Sequence, residues 1–139
     1  MATTFLYPTQ RRIEVTSALY AGGLGVFIGV QHAVYDRNIL HWLPISPAAQ
    51  LAVGFTLIAS AVIWALGVNI NGRWFGSPFL RLAAMVINFA IAVFATGAAA
   101  GTTASYTYGW AAAFLAIGAF NAGSDCRKSL KGEQLWKLN

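Results

Sequence analysis

Four apolar runs, each about as long as a lipid bilayer is thick, constrain this chain more than any other feature. They cover Val15–Tyr35, Ala48–Val68, Phe79–Ala100 and Tyr106–Ser124. A helix needs about 20 apolar residues to cross the hydrocarbon core. Only 9% of the 139 residues are charged, whereas soluble domains carry about 25%. The sequence therefore predicts an all-α fold, a polytopic transmembrane four-helix bundle that forms a single membrane domain.

Polar segments separate and flank these four runs. Ser46-Pro47 and Ser77-Pro78 each place a capping serine before a proline, a pattern that favours the start of a helix. Between the first two runs, Ile39–Leu43 is too short to cross a bilayer, so we expect an interfacial turn there. Residues Asp125–Asn139 interleave cations with leucine and tryptophan, which predicts a basic amphipathic tail on the membrane surface. Met1–Arg12 is expected to be a surface arm or a frayed terminus.

The basic residues are distributed unevenly between the two sides of the predicted bundle. If both termini share one side, eight of the nine Lys and Arg residues fall there: Arg11, Arg12, Arg73, Arg81, Arg127, Lys128, Lys131 and Lys137. Only Arg37 falls on the other side. Cytoplasmic loops of membrane proteins are enriched in Lys and Arg. We therefore expect both termini in the cytoplasm, and a multi-pass protein of the cell membrane, with the bacterial cytoplasmic membrane as the expected location.

The net charge of +5 does not indicate a nucleic-acid partner. The cations lie at the edges of apolar runs instead of forming one basic face, and cytoplasmic retention explains that placement better than phosphate binding. Tyr7-Pro8 precedes Arg11-Arg12, and no small-residue cleavage site follows, so we expect the first run to be kept as an anchor. The lipid bilayer is the partner that the composition predicts.

Small residues recur at steps of four and three in the first and fourth runs, which places them on one face of each helix. In the first run they are Ala18, Gly22, Gly25 and Gly29, and in the fourth they are Gly109, Ala112, Ala116, Ala119 and Gly123. Small residues let helices approach closely in membranes. We predict that these two helices pack against each other, antiparallel. The alternative is a chance stripe, because the fourth run is rich in alanine.

Five of the polar residues within the apolar runs are candidates for function: Thr56, Ser60, Asn88, Thr96 and Asn121. Polar side chains are costly in a bilayer and often mark solute pathways, so these five could line a narrow polar path. Alternatively they bond between helices or to carbonyls of their own helix. Glu14 and Arg81 fall on the same predicted side, where they meet each other or each contact water and lipid.

Imidazole and carboxylate groups cluster near the other predicted side. His32 and Asp36 are one helical turn apart, and His41 follows in the next connection, a combination that could bind a metal or relay a proton. The alternative is that these are interface residues solvated by headgroups. The last three runs contain no histidine, so paired haem ligands are not expected. The single cysteine, Cys126, cannot form an intramolecular disulfide. Nothing resembles a nucleophile–base pair, and we expect neither a cofactor nor enzymatic activity.

The segment from Arg81 to Arg127 combines an Arg-led apolar helix, a tight break from Thr96-Gly97 to Tyr106, and an alanine-rich helix that ends in Asp125-x-Arg127. In these features it resembles small multispan membrane proteins encoded by tailed phages. The resemblance covers about a third of the chain. Most proteins of that kind have no assigned activity, so the resemblance implies an origin and no mechanism.

Together these patterns favour a non-enzymatic, small integral membrane protein. We expect it to self-associate or to serve as an accessory subunit of a larger membrane complex. The alternative is a holin-like or small-solute pore, in which oligomers turn four of these polar residues towards water: Thr56, Ser60, Asn88 and Thr96. A metal-binding or redox membrane subunit, based on the two histidines, ranks third.

Overall fold

The computed structural model describes residues 6–35, 45–70 and 75–131, which form four α-helices. The helices are α1 (Leu6–Tyr35), α2 (Pro47–Asn69), α3 (Ser77–Ala98) and α4 (Thr103–Leu130). The predicted all-α fold is confirmed for these residues. Three stretches are long and apolar enough to cross a membrane, one in each of the first three helices: Arg12–Val34, Pro47–Asn69 and Ser77–Ala98. These features are those of a multi-pass membrane protein.

The two predicted Ser-Pro helix starts differ in the structure. Ser46 has an extended backbone, its Oγ accepts the N–H of Ala49 at 3.2 Å, and Pro47 is the first residue of α2. This start is confirmed. In α3 the carbonyl of Gly76 already accepts the N–H of Phe79 and of Leu80, so the residue before the helix is Gly76. The predicted role of Ser77 as the N-cap is therefore wrong, because it is the first helical residue.

Two other boundaries extend beyond the predicted runs. The first helix begins at Leu6, so the second half of the predicted Met1–Arg12 arm is helical. The fourth helix continues to Leu130, so the first residues of the predicted Asp125–Asn139 tail belong to it. The predicted turn Ile39–Leu43 and the last part of that tail lie outside the described residues.

Consecutive helices are the ones that pack against each other: α1 with α2, α2 with α3, and α3 with α4. The side chain of Arg81 contacts Glu14 and Asp125 and lies beside Gly67. The start of α1, the end of α2, the start of α3 and the end of α4 therefore share one end of the bundle. We call it the Arg81 end.

Gly22 and Gly25 of the α1 stripe face α2 and not α4. A Cβ built on Gly25 would lie 2.5 Å from the carbonyl oxygen of Gly54, and one on Gly22 would lie 3.1 Å from the Cβ of Ala61. The predicted packing of the first helix against the fourth is therefore wrong. The periodicity identified a packing face of α1, but the spacing within one helix does not specify which neighbour covers that face.

The fourth helix turns a different face inward from the predicted one. Its buried residues are Ala112, Ala122, Cys126 and Ser129, and a Cβ on Gly118 would lie 3.2 Å from the Sδ of Met85 in α3. Of the predicted stripe, Ala112 is buried, whereas Gly109, Ala119 and Gly123 are half-buried and Ala116 is exposed. The contact face of α4 is thus rotated away from Ala116, towards Ala122 and Cys126.

Two apolar clusters fill the bundle. The cluster nearer the Arg81 end joins all four helices through Ala18, Trp64, Val68, Ala84, Met85 and Ala122. The second joins α1 and α2 through Ala21, Ile28, Leu57 and Ala61. Alanine supplies half of these ten positions, which lets the helices approach closely where dispersion contacts are strongest.

Candidate functional site

The most concentrated polar contacts in the described part of the chain surround Arg81, which is 3% exposed. Its Nε donates to Oε2 of Glu14 at 2.8 Å, and its Nη2 donates to Oε1 of the same carboxylate. Its Nη1 donates to Oδ2 of Asp125 at 3.2 Å. A guanidinium that binds a carboxylate through two parallel N–H groups fixes geometry as well as energy. One side chain of α3 thereby ties α1 and α4 together.

The local sequence explains why these groups meet. Glu14 lies on the buried face of α1, one turn before Ala18, and is 6% exposed. In α2, Gly67 leaves room for the arginine, because a Cβ there would lie 2.9 Å from the Cγ of Arg81. Asp125 lies on α4 just beyond the end of the predicted fourth run. All four helices therefore contribute to the site.

Because Glu14 and Asp125 both bind Arg81, the exposed charged side chains that the structure describes at this end are all cationic. Every described Asp, Glu, Lys and Arg side chain lies at the Arg81 end, and both described carboxylates bind Arg81. The remaining described cations are exposed: Arg12, Arg127, Lys128 and Lys131. Exposed positive charge at one end of a helical bundle is the pattern expected beside anionic lipid headgroups.

A second polar contact joins α2 and α3 in the interior. The Nδ2 of Asn88 donates to the Oγ of Ser60 at 3.0 Å and to the carbonyl of Ala84 at 2.8 Å. The Ser60 hydroxyl in turn donates to the carbonyl of Leu57 at 2.9 Å. Both side chains are buried, at 5% and 1% exposure. Of the five polar residues singled out in the sequence, these two are brought together.

The other three polar residues lie apart from that pair. The hydroxyl of Thr56 donates to the carbonyl of Ala52, and that of Thr96 donates to the carbonyl of Ala92, each at 2.7 Å within its own helix. Asn121 is exposed on α4. The five side chains consequently do not line one path within a single chain.

Sequence reasoning missed two residues of the interior. Asp125 was assigned to the tail, although its position at the same predicted side as Glu14 and Arg81 was the signal that could have identified it. Trp64 is 3% exposed, and its Nε1 has no hydrogen-bond partner among the described residues. Tryptophan usually lies in the interfacial belt, so a tryptophan within an apolar run was itself a signal for the core.

The predicted metal site is only partly within the described residues. His32 is half-buried near the end of α1, whereas Asp36 and His41 lie outside the described ranges. Within those ranges, no three His, Cys, Asp or Glu side chains are grouped so as to hold a metal ion. Cys126 is buried, and burial, together with the adjacent Asp125 carboxylate, raises the pKa of its thiol. A buried thiol of raised pKa is a poor nucleophile.

Comparison with known proteins adds no relative. No protein-family model, no curated protein and no solved structure matches the chain. The resemblance to phage membrane proteins stays a prediction. The function is therefore inferred from the geometry of the bundle.

Proposed function

We propose that this chain is a non-enzymatic, four-span integral membrane protein that self-associates or serves as an accessory subunit of a larger membrane complex. Its fourth span is α4, both termini lie in the cytoplasm, and the bacterial cytoplasmic membrane is its location. Four structural observations support this proposal: the ion cluster at Arg81, the Ser60–Asn88 hydrogen bond, the cationic surface of the Arg81 end, and the antiparallel packing of α4 on α3.

The observation that carries the proposal is how the interior polar groups are used. Arg81 is bound by Glu14 and Asp125, and Asn88 is bound by Ser60. In a bilayer, unsatisfied polar groups cost several kcal/mol, and groups that bond to each other join helices instead of receiving a solute. The interior therefore has the chemistry of a scaffold, and function is expected at the outer surfaces.

The crossing of α4 is supported by its direction and length. It starts beside the end of α3 and ends beside Arg81 at the start of α3, so it runs the whole length of its neighbour. Its 28 residues extend over about 42 Å at 1.5 Å per residue, which exceeds the hydrocarbon thickness of about 30 Å. It is less apolar than the other helices because it contains several side chains with polar groups: Tyr106, Tyr108, Trp110 and Asn121. Partial contact with α3 and with a partner compensates for that polarity.

Orientation is supported by charge. The exposed cations at the Arg81 end would lie at the cytoplasmic surface, where Lys and Arg are enriched and anionic lipids are concentrated. Both the start of α1 and the end of α4 are at that end, so both termini would be cytoplasmic.

The test is the mass and composition of the protein purified in mild detergent from its native membrane. The proposal predicts either a homo-oligomer or a complex with an unrelated membrane protein that survives purification. A monodisperse monomer without any partner, at all protein concentrations and in several mild detergents, would contradict it.

One observation favours the second candidate, a holin-like or small-solute pore. Thr56 and Asn121 are polar and exposed on outward faces of α2 and α4, so several copies could turn them towards water. Such a pore predicts dye leakage on expression that is lost when both residues are replaced by leucine. An intact permeability barrier during expression would exclude it.

A further inference from the structure

The outward face of α4 carries a regular stripe that no other described helix covers. Trp110, Phe114, Ile117, Asn121 and Ser124 follow one another at steps of four, three, four and three, and we call these five residues the α4 stripe. Trp110, Phe114 and Ile117 are 52%, 68% and 60% exposed, and Asn121 and Ser124 are also exposed. This spacing is the seven-residue repeat of helices that pack along their length.

Aromatic contacts hold the Trp110 end of the α4 stripe in place. The rings of Tyr106 and Trp110 meet edge to face with centroids 6.1 Å apart, and those of Trp110 and Phe114 are 6.2 Å apart at a tilt. Side chains that are fixed before association lose less conformational entropy when a partner covers them. The stripe is therefore a preformed surface.

Asn121 is the unusual member of the stripe. The exposed hydroxyl of Thr56 donates to its own helix, and the amide of Asn88 is bonded inside the bundle. The amide of Asn121 makes no hydrogen bond to another described residue, and along the stripe it lies between the apolar Ile117 and the hydroxyl-bearing Ser124. An amide has two N–H donors and a carbonyl acceptor, whereas lipid chains offer neither. Where α4 crosses the membrane, a polar partner stabilises the amide of Asn121, and no other described residue supplies one.

We propose that a second copy of this chain packs along the α4 stripe, with the two Asn121 amides bonding to each other across a two-fold axis normal to the membrane. Copies inserted in the same orientation carry Asn121 at the same depth, so each amide meets its counterpart. An amide is self-complementary, since each carbonyl accepts an N–H of the other. A polar Asn at one core position of a seven-residue repeat also fixes the register of paired helices. This inference rests on the proposed function, because α4 must cross the membrane.

The other surface with small residues is not available for this contact. Gly22 and Gly25 of α1 already face Ala61 and Gly54 of α2, so a second copy would have to displace α2. The α4 stripe has no such partner among the residues that the structure describes. Self-association is accordingly assigned to α4 and not to the glycines of α1.

Cross-linking tests which face of α4 meets the second copy. In a Cys126→Ala background, Ser124→Cys is expected to form an intermolecular disulfide under mild oxidation in native membranes. Ala116→Cys is the matched control, because Ala116 is also exposed on α4 but lies about 100° around the helix from Ile117. Efficient dimerisation through residue 124 and little through residue 116 supports the proposal. Equal yields at the two positions, or a yield only at 116, would overturn it.

Substitution of Asn121 tests the amide itself. Hydrogen bonds between membrane helices average about 0.6 and reach about 1.7 kcal/mol. Asn121→Leu is therefore expected to raise the dimer dissociation constant about threefold to twentyfold in energy-transfer measurements. Asn121→Gln keeps the donor and acceptor and is expected to stay close to the parent protein. A leucine variant that associates as tightly as the parent would contradict the assignment of the amide, whatever the glutamine variant does.

Different results would contradict the α4 stripe and the proposed function. If the chain forms oligomers in mild detergent but neither Ser124→Cys nor Asn121→Leu behaves as expected, the α4 stripe is wrong and self-association stands. If the purified chain is monomeric and without partners, the proposed function itself is wrong.

Discussion

Replacing Gly25 by alanine tests the tightest glycine contact among the described residues. The added Cβ would lie 2.5 Å from the carbonyl oxygen of Gly54 and 2.9 Å from the Cγ1 of Ile58. The oxygen belongs to the backbone of α2, so it cannot rotate away as a flexible side chain would. Relief requires α1 and α2 to separate by about 1 Å to reach an ordinary contact distance. The matched control is Gly29→Ala, one turn further along α1, where the new Cβ would have nothing within 4 Å.

The magnitude follows from two opposing effects. Both substitutions gain helix propensity, about 1 kcal/mol for glycine to alanine in a helix interior. Only Gly25→Ala overpacks the interface, which costs about 1–3 kcal/mol, because a gap of up to 1 Å forfeits a quarter to a half of each contact around it. Gly29→Ala should therefore be neutral or stabilising. Gly25→Ala should be less stable than Gly29→Ala by about 1–3 kcal/mol.

The assay is reversible unfolding in mixed micelles of rising denaturing-detergent content, followed by helicity and by tryptophan fluorescence. Comparing the two variants with each other cancels the propensity gain that they share. Equal stability of the two variants would refute the close α1–α2 contact at Gly25. A destabilised Gly29→Ala variant with an unchanged Gly25→Ala variant would show that the close contact lies at Gly29 and not at Gly25.

Three further predictions concern the interior. Arg81→Met leaves Glu14 buried without its partner and should lower the free energy of unfolding by about 3–5 kcal/mol in the same assay. Adding Glu14→Gln should recover part of that loss, because the buried side chain is then uncharged. If nothing is recovered, the two residues do not form a direct ion pair. Alanine substitution of Ser60 and Asn88, singly and together, should give a coupling energy of about 0.6–1.7 kcal/mol, whereas additive effects would contradict their hydrogen bond. Because burial raises the pKa of the Cys126 thiol, alkylation near neutral pH should be much slower for folded than for unfolded protein, as measured by mass spectrometry; equal rates would mean that the thiol is accessible.

Features set by local chemistry were predictable from the sequence. The start of α2 follows from Ser46-Pro47, and the structure places both residues as the pattern predicts. The small-residue face of α1 follows from its periodicity, since the spacing of residues on one helix determines which of them share a side. Apolar length likewise indicates which helices can cross a membrane.

Features set by contacts between distant segments were not predictable in the same way. Nothing within α1 tells whether Gly25 meets α2 or α4, and the choice of α4 was wrong. The Glu14–Arg81 contact spans 67 residues of sequence and the Arg81–Asp125 contact spans 44. An antiparallel order of four helices brings their alternate ends together, and this topological argument was the available route to all three residues.

Cysteine accessibility at the two ends of α4 tests the central claim. That claim is a four-span bundle whose Arg81 end, with the start of α1 and the end of α4, lies in the cytoplasm. In a Cys126→Ala background, single cysteines replace Thr103 and Lys131, the residues at the start and just beyond the end of α4. A membrane-impermeant maleimide is applied to intact cells and to inside-out vesicles. The account predicts labelling of residue 103 only in cells and of residue 131 only in vesicles. Labelling of both positions from the same side would show that α4 does not cross, and the four-span account would be wrong.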